Sequence, residues 1–199
     1  MAPRVFLLSP ANIGGERARL ALSDRAQFDL AFRLRREGAP LGEVFSFVSG
    51  LYFRGKLAYM QAFAAPPAGL PAGLVITAGR GLLPPERIVT LEELRELAAV
   101  PVDRAEPRYL EPLVRDARIL AEAAGCAIIL LGSVATTKYL EPLVDIFGER
   151  LLFPAEFVGR GDMSRGGLML RCARAGVEMR YMPAAGAIRH GKRPPRLPR

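Results

Sequence analysis

The chain is poor in the residues that build metal sites and disulfide frameworks. It contains one histidine, two cysteines and no tryptophan among 199 residues. Cys126 and Cys172 are too few for a disulfide framework, so we expect both thiols to be reduced. One histidine and two cysteines also make a zinc site unexpected. The sequence therefore indicates neither a metal nor another cofactor.

Long apolar runs are missing as well. No run approaches the roughly 20 residues that a membrane-spanning helix needs. The N-terminal run Val5–Leu8 is too short for the apolar part of a signal sequence. We therefore expect a cytoplasmic protein that has no membrane partner.

Acidic residues are fewer than basic ones. The chain has 20 Asp and Glu against 28 Lys and Arg, which gives a net charge of +8. This balance favours an anionic partner such as DNA, a nucleotide or a phosphorylated substrate. A basic protein without any anionic ligand is the alternative. Because half of the residues are hydrophobic, we expect a single globular domain over 1–188, followed by a basic, Pro-rich tail over 189–199.

Four short apolar runs predict buried strands. The clearest is Ala127–Leu131, which has no polar break and leads through Gly132 into an apolar-periodic helix. The other three runs are Val5–Leu8, Leu74–Thr77 and Arg150–Pro154. Strands that alternate with helices predict an α/β fold, a three-layer sandwich with a short, mostly parallel central sheet of about four strands.

Small and polar residues follow each of these strands. Right-handed crossovers place the carboxyl ends of parallel strands at one edge of the sheet. We therefore expect the loops that contain Asn12, Arg80, Ser133 and Asp162 to converge there, where ligands bind in open α/β sheets. Paired glycines such as Gly14-Gly15 allow a backbone to approach a ligand closely, although a plain tight turn explains them equally well.

Other candidate positions each have two interpretations. Phe45 and Phe53 lie among Ser, Gly, Arg and Lys, a mixture that suits base stacking, but large rings more often pack in a core. Asp162 is a candidate general base or a helix cap. Ser133 is a candidate phosphate ligand or, with the threonines after it, a cap of the following helix.

Several common catalytic signatures are not in the sequence. The segment from Gly132 to Lys138 has no second glycine before the lysine, so it is not a Walker A loop. No G-x-G-x-x-G pattern opens a helix, and no G-x-S-x-G elbow is present. What remains is a site for an anionic ligand with few titratable groups.

The order of motifs resembles the uracil-DNA glycosylase superfamily. The first strand followed by Pro10-Ala11-Asn12-Ile13-Gly14-Gly15 resembles its water-positioning loop, and Ile128–Ala135 resembles a later strand that ends in glycine. His190, before a basic Pro-rich segment, is placed like the histidine loop that enters the minor groove. The patterns at 9–12 and 158–167 also resemble a bacterial family, but that likeness implies no activity.

The resemblance implies DNA base excision, in which a flipped-out base is released by hydrolysis of its N-glycosidic bond. It implies that Asn12 positions the attacking water and that His190 stabilises the departing base, with Asp162 as the alternative general base. Phe45 or Phe53 would stack the base, and Ser133 and Lys138 would hold a phosphate. The predicted substrate-binding set is completed by Gly14, Gly15, Arg80 and Arg160.

Two other classes of function remain open. One is a transferase that processes nucleotides or nucleosides as small molecules. The other is a nonenzymatic nucleic-acid-binding module, which would show salt-dependent DNA binding without base release.

Overall fold

The computed structural model describes residues 3–188, 191 and 194. His190 and most of the predicted tail lie outside the described residues. The strands are β1 Arg4–Leu8, β2 Ala39–Pro40, β3 Gly73–Thr77, β4 Gly81–Leu83, β5 Ile88–Val89, β6 Ala127–Leu131, β7 Leu151–Pro154 and β8 Tyr181–Pro183. The helices are α1 Glu16–Leu22, α2 Asp29–Arg36, α3 Leu41–Ser49, α4 Leu51–Phe63, α5 Leu91–Ala98, α6 Pro107–Ala121, α7 Thr137–Phe147 and α8 Asp162–Ala175.

One six-stranded sheet organises the molecule, in the order β4-β3-β1-β6-β7-β8. The four central strands are parallel, and they are the four strands that the apolar runs predict. The predicted count of about four strands is wrong, because β4 and β8 add an antiparallel strand at each edge. A separate two-stranded sheet pairs β2 with β5.

The edge strand β4 exists because the chain turns sharply after β3. Gly79 and Gly81 have φ angles of +89° and +64°, a backbone region that favours glycine. The Thr77 hydroxyl donates a hydrogen bond to the Gly81 carbonyl at 2.9 Å and closes the turn. The Asp116 carboxylate accepts a hydrogen bond from the Leu82 N–H at 2.9 Å. The segment predicted as a loop is therefore a hairpin that α6 supports.

The central strands form the middle of the core. Every residue of β1 is buried, and so are four of the five residues of β6. The two strands pair in parallel with Phe6 opposite Ile129. Runs buried without alternation are typical of parallel strands that are covered on both faces.

Helices α4 and α8 cross closely at two glycines. A Cβ built on Gly166 would lie 2.8 Å from the Leu51 carbonyl oxygen and 2.8 Å from the Tyr52 Cα atom. A Cβ on Gly55 would lie 2.6 Å from the Gly166 oxygen. Only glycine at both positions allows the two backbones to approach this far, and this approach brings the side chains of α8 against those of α4.

The strand order places a topological switch point next to β1. Numbered by appearance, the parallel strands run second, first, third and fourth across the sheet. The chain therefore leaves β1 for one side of the sheet and later returns on the other side as β6. The crevice at the carboxyl ends of such a strand pair is the usual ligand site of open α/β sheets.

Candidate functional site

A cavity of about 520 Å³ lies at the carboxyl ends of β1 and β6. Four separate segments of chain line it: the loop after β1, Ala78 directly after β3, the end of α5 with the loop that follows, and the turn from β6 into α7. The lining residues are Pro10, Ala11, Asn12, Ile13, Gly14, Ala78, Leu97, Ala98, Val100, Pro101, Val102, Ser133, Thr136, Lys138 and Tyr139. Its volume lies within the range of small-molecule sites, and its lining is largely apolar with a few polar groups, as such sites require.

Asn12 is held in a fixed orientation by its own loop. Its Oδ1 atom accepts a hydrogen bond from the Gly14 N–H at 3.1 Å, and its carbonyl accepts one from the Gly15 N–H at 3.4 Å. This is an Asx-type turn, which asparagine forms readily. A carbonyl oxygen has two lone pairs, so Oδ1 keeps one for a water or a ligand.

The turn after β6 contributes hydroxyl groups and a cation. Ser133 Oγ accepts a hydrogen bond from the Ala135 N–H at 3.4 Å. Thr136 caps α7, since its Oγ1 accepts from the Lys138 N–H at 3.3 Å. The predicted capping role thus applies to Thr136, and Ser133 lies in the cavity wall. Lys138 is exposed, and its ammonium pairs with no carboxylate among residues 3–188.

Tyr139 joins the beginning of α7 to the end of β6. Its hydroxyl accepts a hydrogen bond from the Ser133 N–H at 2.9 Å and donates one to the Ser133 carbonyl at 3.0 Å. Burial raises the pKa of Tyr139 to about 12, and a hydrogen bond with Ser9 partly opposes that rise. The phenol is therefore neutral at physiological pH and serves as a donor and an acceptor.

The structure brings four of the predicted site residues together: Asn12, Gly14, Ser133 and Lys138 all line the cavity. Gly15 is the residue before α1 rather than part of the lining. Two loops that are far apart in the sequence therefore meet at one edge of the sheet.

Arg80 lies beside the cavity and not in it. It lines a smaller recess of about 80 Å³ that shares Ala78, Leu97 and Val100 with the main cavity. Its guanidinium forms ion pairs with Glu93 at 3.2 Å and with Glu96 at 2.5 Å. Two carboxylates neutralise this cation, which weakens it as a phosphate ligand.

The predicted stacking role of Phe45 and Phe53 is wrong for this conformation. Both rings are fully buried. They pack edge to face, with ring centroids 5.3 Å apart and planes at 83°. Gly50, with a φ of +58°, turns α3 into α4 and folds the two rings onto each other in the core. The hydrophobic interpretation of these aromatic residues is the correct one.

Asp162 and Arg160 lie outside the cavity lining. Asp162 begins α8, and 64 % of its side chain is exposed; its carboxylate is 3.4 Å from the guanidinium of Arg165. Arg160 donates hydrogen bonds to the Glu156 carbonyl at 3.0 Å and to Ser164 Oγ at 3.2 Å. The fourth predicted loop therefore does not join the other loops at the cavity.

Sequence reasoning missed Tyr139 and the wall that Ala98, Val100 and Val102 provide. In the sequence Tyr139 is one of the apolar residues of a periodic helix, and its position six residues after Ser133 is the signal that its hydroxyl can reach back. The wall has no such signal, because its residues are small and apolar. Among the described residues, no group of three or more His, Cys, Asp or Glu side chains could hold a metal, and no helix is long and apolar enough to span a membrane.

Comparison with protein-family models, with curated proteins and with solved structures gave no match.

Proposed function

We propose that the protein is a DNA base-excision enzyme of the uracil-DNA glycosylase type, which hydrolyses the N-glycosidic bond of a base that has been flipped into the cavity. The observation that carries the proposal is the meeting of the Asn12 loop and the Ser133 turn in one cavity at the switch point of the sheet. These are the two segments on which the resemblance to that superfamily rests.

The chemistry requires few titratable groups, which suits this lining. In the reaction, the bond from C1′ to the base breaks, the water oxygen adds to C1′, and a proton goes to the departing base. Much of the barrier is lowered by positioning and electrostatics. Asn12 Oδ1 accepts a hydrogen bond from the attacking water with its remaining lone pair, while the Gly14 N–H holds the side chain.

The rest of the cavity binds the substrate. Lys138 and the Ser133 hydroxyl hold a backbone phosphate at the beginning of α7, where the helix dipole also favours an anion. Ile13, Val100 and Val102 take the place of the buried phenylalanines as the apolar surface beside the base. His190, outside the described residues, stays in the proposal as the group that stabilises the departing base. Asp162 is left out, because it does not line the cavity.

A small-molecule enzyme for nucleotides or nucleosides is the second candidate. The cavity volume and the single cation in its described lining suit one nucleotide with one phosphate. Tight nucleotide binding together with indifference to DNA would favour this candidate.

We also propose the three-layer arrangement, with helices on both faces of the sheet. The unbroken burial of β1 and the buried stretch of β6 support it, since a sheet with one face in solvent would show alternation.

Oligonucleotides that contain uracil or hypoxanthine test the main proposal. Abasic sites are detected by alkaline strand cleavage. We expect cleavage with the wild type. We expect Asn12→Ala to abolish it while DNA binding survives, because the variant loses the water acceptor and the hydrogen bond from the Gly14 N–H but none of the proposed phosphate contacts. Full activity in Asn12→Ala would refute its assigned role. DNA binding without base release from any substrate base would favour the nonenzymatic module.

A further inference from the structure

A buried lysine lies directly behind the cavity. Lys56, on α4, has 1 % of its surface exposed. Its ammonium donates hydrogen bonds to the Ser9 carbonyl at 2.9 Å and to Ser9 Oγ at 2.7 Å. It also lies 4.1 Å from the ring centroid of Tyr52 and 5.2 Å from that of Phe53. A charge in such a place costs stability unless it is well hydrogen-bonded, and the two hydrogen bonds to Ser9 offset part of that cost.

The lysine contacts the loop after β1 directly, at Ser9, and it reaches the turn after β6 only through Ser9 and Tyr139. Ser9 precedes the lining residue Pro10, and its N–H donates to the Leu131 carbonyl at 3.2 Å, which extends the pairing of β1 with β6. The Ser9 side chain lies beside Tyr139 at Gly132 and lowers the pKa of its phenol, and the Tyr139 hydroxyl in turn holds the backbone of Ser133. A continuous polar path therefore runs from Lys56 through Ser9 and Tyr139 to the wall of the cavity.

Gly132 makes room for this path. A Cβ built on Gly132 would lie 2.8 Å from Ser9 Cβ, 3.0 Å from the Tyr139 hydroxyl and 3.2 Å from Ser9 Oγ. Any larger residue at the end of β6 would push the serine and the tyrosine away. The glycine that ends the most apolar run of the sequence is thus required by the contacts between the two loops.

We propose that Lys56 is a positioning residue for the cavity: its ammonium, held against Ser9, fixes the loop after β1 and, through Tyr139, the turn after β6. The proposal rests on the cavity being the ligand site, but not on base excision as the reaction. Hydrogen bonds from an ammonium are roughly twice as strong as neutral ones, so the loops are held most firmly while Lys56 is charged.

The protonation of Lys56 is sensitive near neutral pH. Desolvation lowers the pKa of its ammonium to about 7; Asp162 on α8 raises the pKa, and Arg165 on the same helix lowers it. The other titratable groups that face this region are Tyr52 on α4 and Tyr139 on α7, both neutral at that pH because burial raises the pKa of each phenol. Lys56 is therefore the group whose charge changes, and the loops should loosen as the pH rises through about 7.

Amide hydrogen exchange over 9–14 and 133–139 tests the proposal, measured from pH 5.5 to 8.5 and corrected for the intrinsic pH dependence of exchange. In the wild type we expect protection of the Ser133 N–H to fall as the pH rises through neutrality. In Lys56→Met we expect exchange of both segments to be roughly tenfold faster at the low end of this range, the size expected for a lost charged hydrogen bond, and independent of pH. Tyr59→Phe, on the same helix but bonded to Met179 and Tyr181, is the matched control and should behave as the wild type.

Wild-type protection of both segments in Lys56→Met would overturn the proposal. If Lys56→Met does not fold, Ser9→Ala makes the same test, because it removes the hydroxyl that lies between Lys56 and Tyr139. Unchanged exchange over 133–139 in Ser9→Ala would also overturn the proposal. Strand cleavage of the uracil oligonucleotide is measured in parallel. If the wild type does not cleave it, base excision fails, while the exchange result still decides the role of Lys56.

Discussion

The buried ammonium of Lys56 makes the stability of the fold depend on pH. Its pKa is about 7 in the folded chain and near the ordinary value of 10.5 when the chain unfolds. Between these two values the unfolded chain holds a proton that the folded chain has lost. The free energy of unfolding therefore rises with pH across this window, by at most about 1.4 kcal/mol per pH unit from this group.

Replacing Lys56 with methionine should remove that dependence. Methionine fills a similar volume without a charge, and exchanging a buried charge for a well-packed apolar side chain is often neutral or stabilising. We expect the stability of Lys56→Met, relative to wild type, to be highest near pH 6 and to fall as the pH rises from 7 to 9. Urea denaturation of both proteins at pH 6, 7.5 and 9 measures the difference. A difference that stays constant with pH would contradict the lowered pKa.

Single residues also show where sequence reasoning fails. The sequence does not single out Lys56, because a lysine in a helix is expected to face solvent. Its signal was its position in the helical stripe formed by Tyr52, Tyr59 and Phe63, all of which are buried. Phe45 and Phe53 were open to two interpretations because the sequence does not tell how α3 and α4 fold about Gly50. Asn12 and Ser133 need no such information, since each lies in the loop that follows the carboxyl end of a predicted strand.

The crossing of α4 and α8 determines how the helix that carries Lys56 sits against its neighbours. The close approach depends on Gly55 and Gly166, and the neighbouring Gly167 faces open space: a Cβ there would meet no atom within 4 Å. Gly166 therefore has no room for a side chain, whereas the adjacent Gly167 has room for one.

Alanine at these two positions should change stability in opposite directions. Gly166→Ala places a methyl group against the backbone of α4, so we expect a loss of about 1–3 kcal/mol, the usual cost of overpacking. Gly167→Ala gains helix propensity without a clash, so we expect a gain of up to about 1 kcal/mol. Thermal or urea unfolding of the two variants tests this. Equal effects of the same sign would mean that the helices do not cross at Gly166.

The length of an apolar run determines whether the sequence predicts a strand. The four central strands have four or five residues each, of which three to five in a row are apolar, and the sequence places all of them. The edge strands β4 and β8 have three residues each, and they form because a neighbouring strand offers free backbone groups. Gly81–Leu83 therefore resembles a loop. The alternation of apolar and polar residues from Val177 to Tyr181 predicts an edge strand there, whereas β8 spans Tyr181–Pro183.

The whole molecule carries a net charge of +8, which should draw DNA through a general field as well as through specific contacts. Lys138, in the cavity, and Arg118, on the exposed face of α6, each supply one positive charge. Removing either charge lowers the net charge by the same amount. Only the removal of Lys138 also removes a proposed phosphate contact.

The salt dependence of DNA binding separates these two effects. We expect Lys138→Ala to reduce the slope of log K against log salt concentration by about 1, because one fewer counterion is released. Arg118→Ala should leave the slope unchanged. Fluorescence anisotropy with a labelled oligonucleotide between 50 and 300 mM salt measures it. Equal slopes for the two variants would remove Lys138 from the proposed phosphate site.

The walls of the cavity differ in how they are anchored. The loop after β1 and the turn after β6 are tied to the sheet and to each other through Ser9 and Tyr139. The wall from Ala98 to Val102 belongs to no strand, and two of its residues, Ala98 and Pro101, are exposed to solvent. Selectivity for the size of a ligand can therefore evolve in that wall by changes of apolar volume, while the reactive groups opposite it remain unaltered.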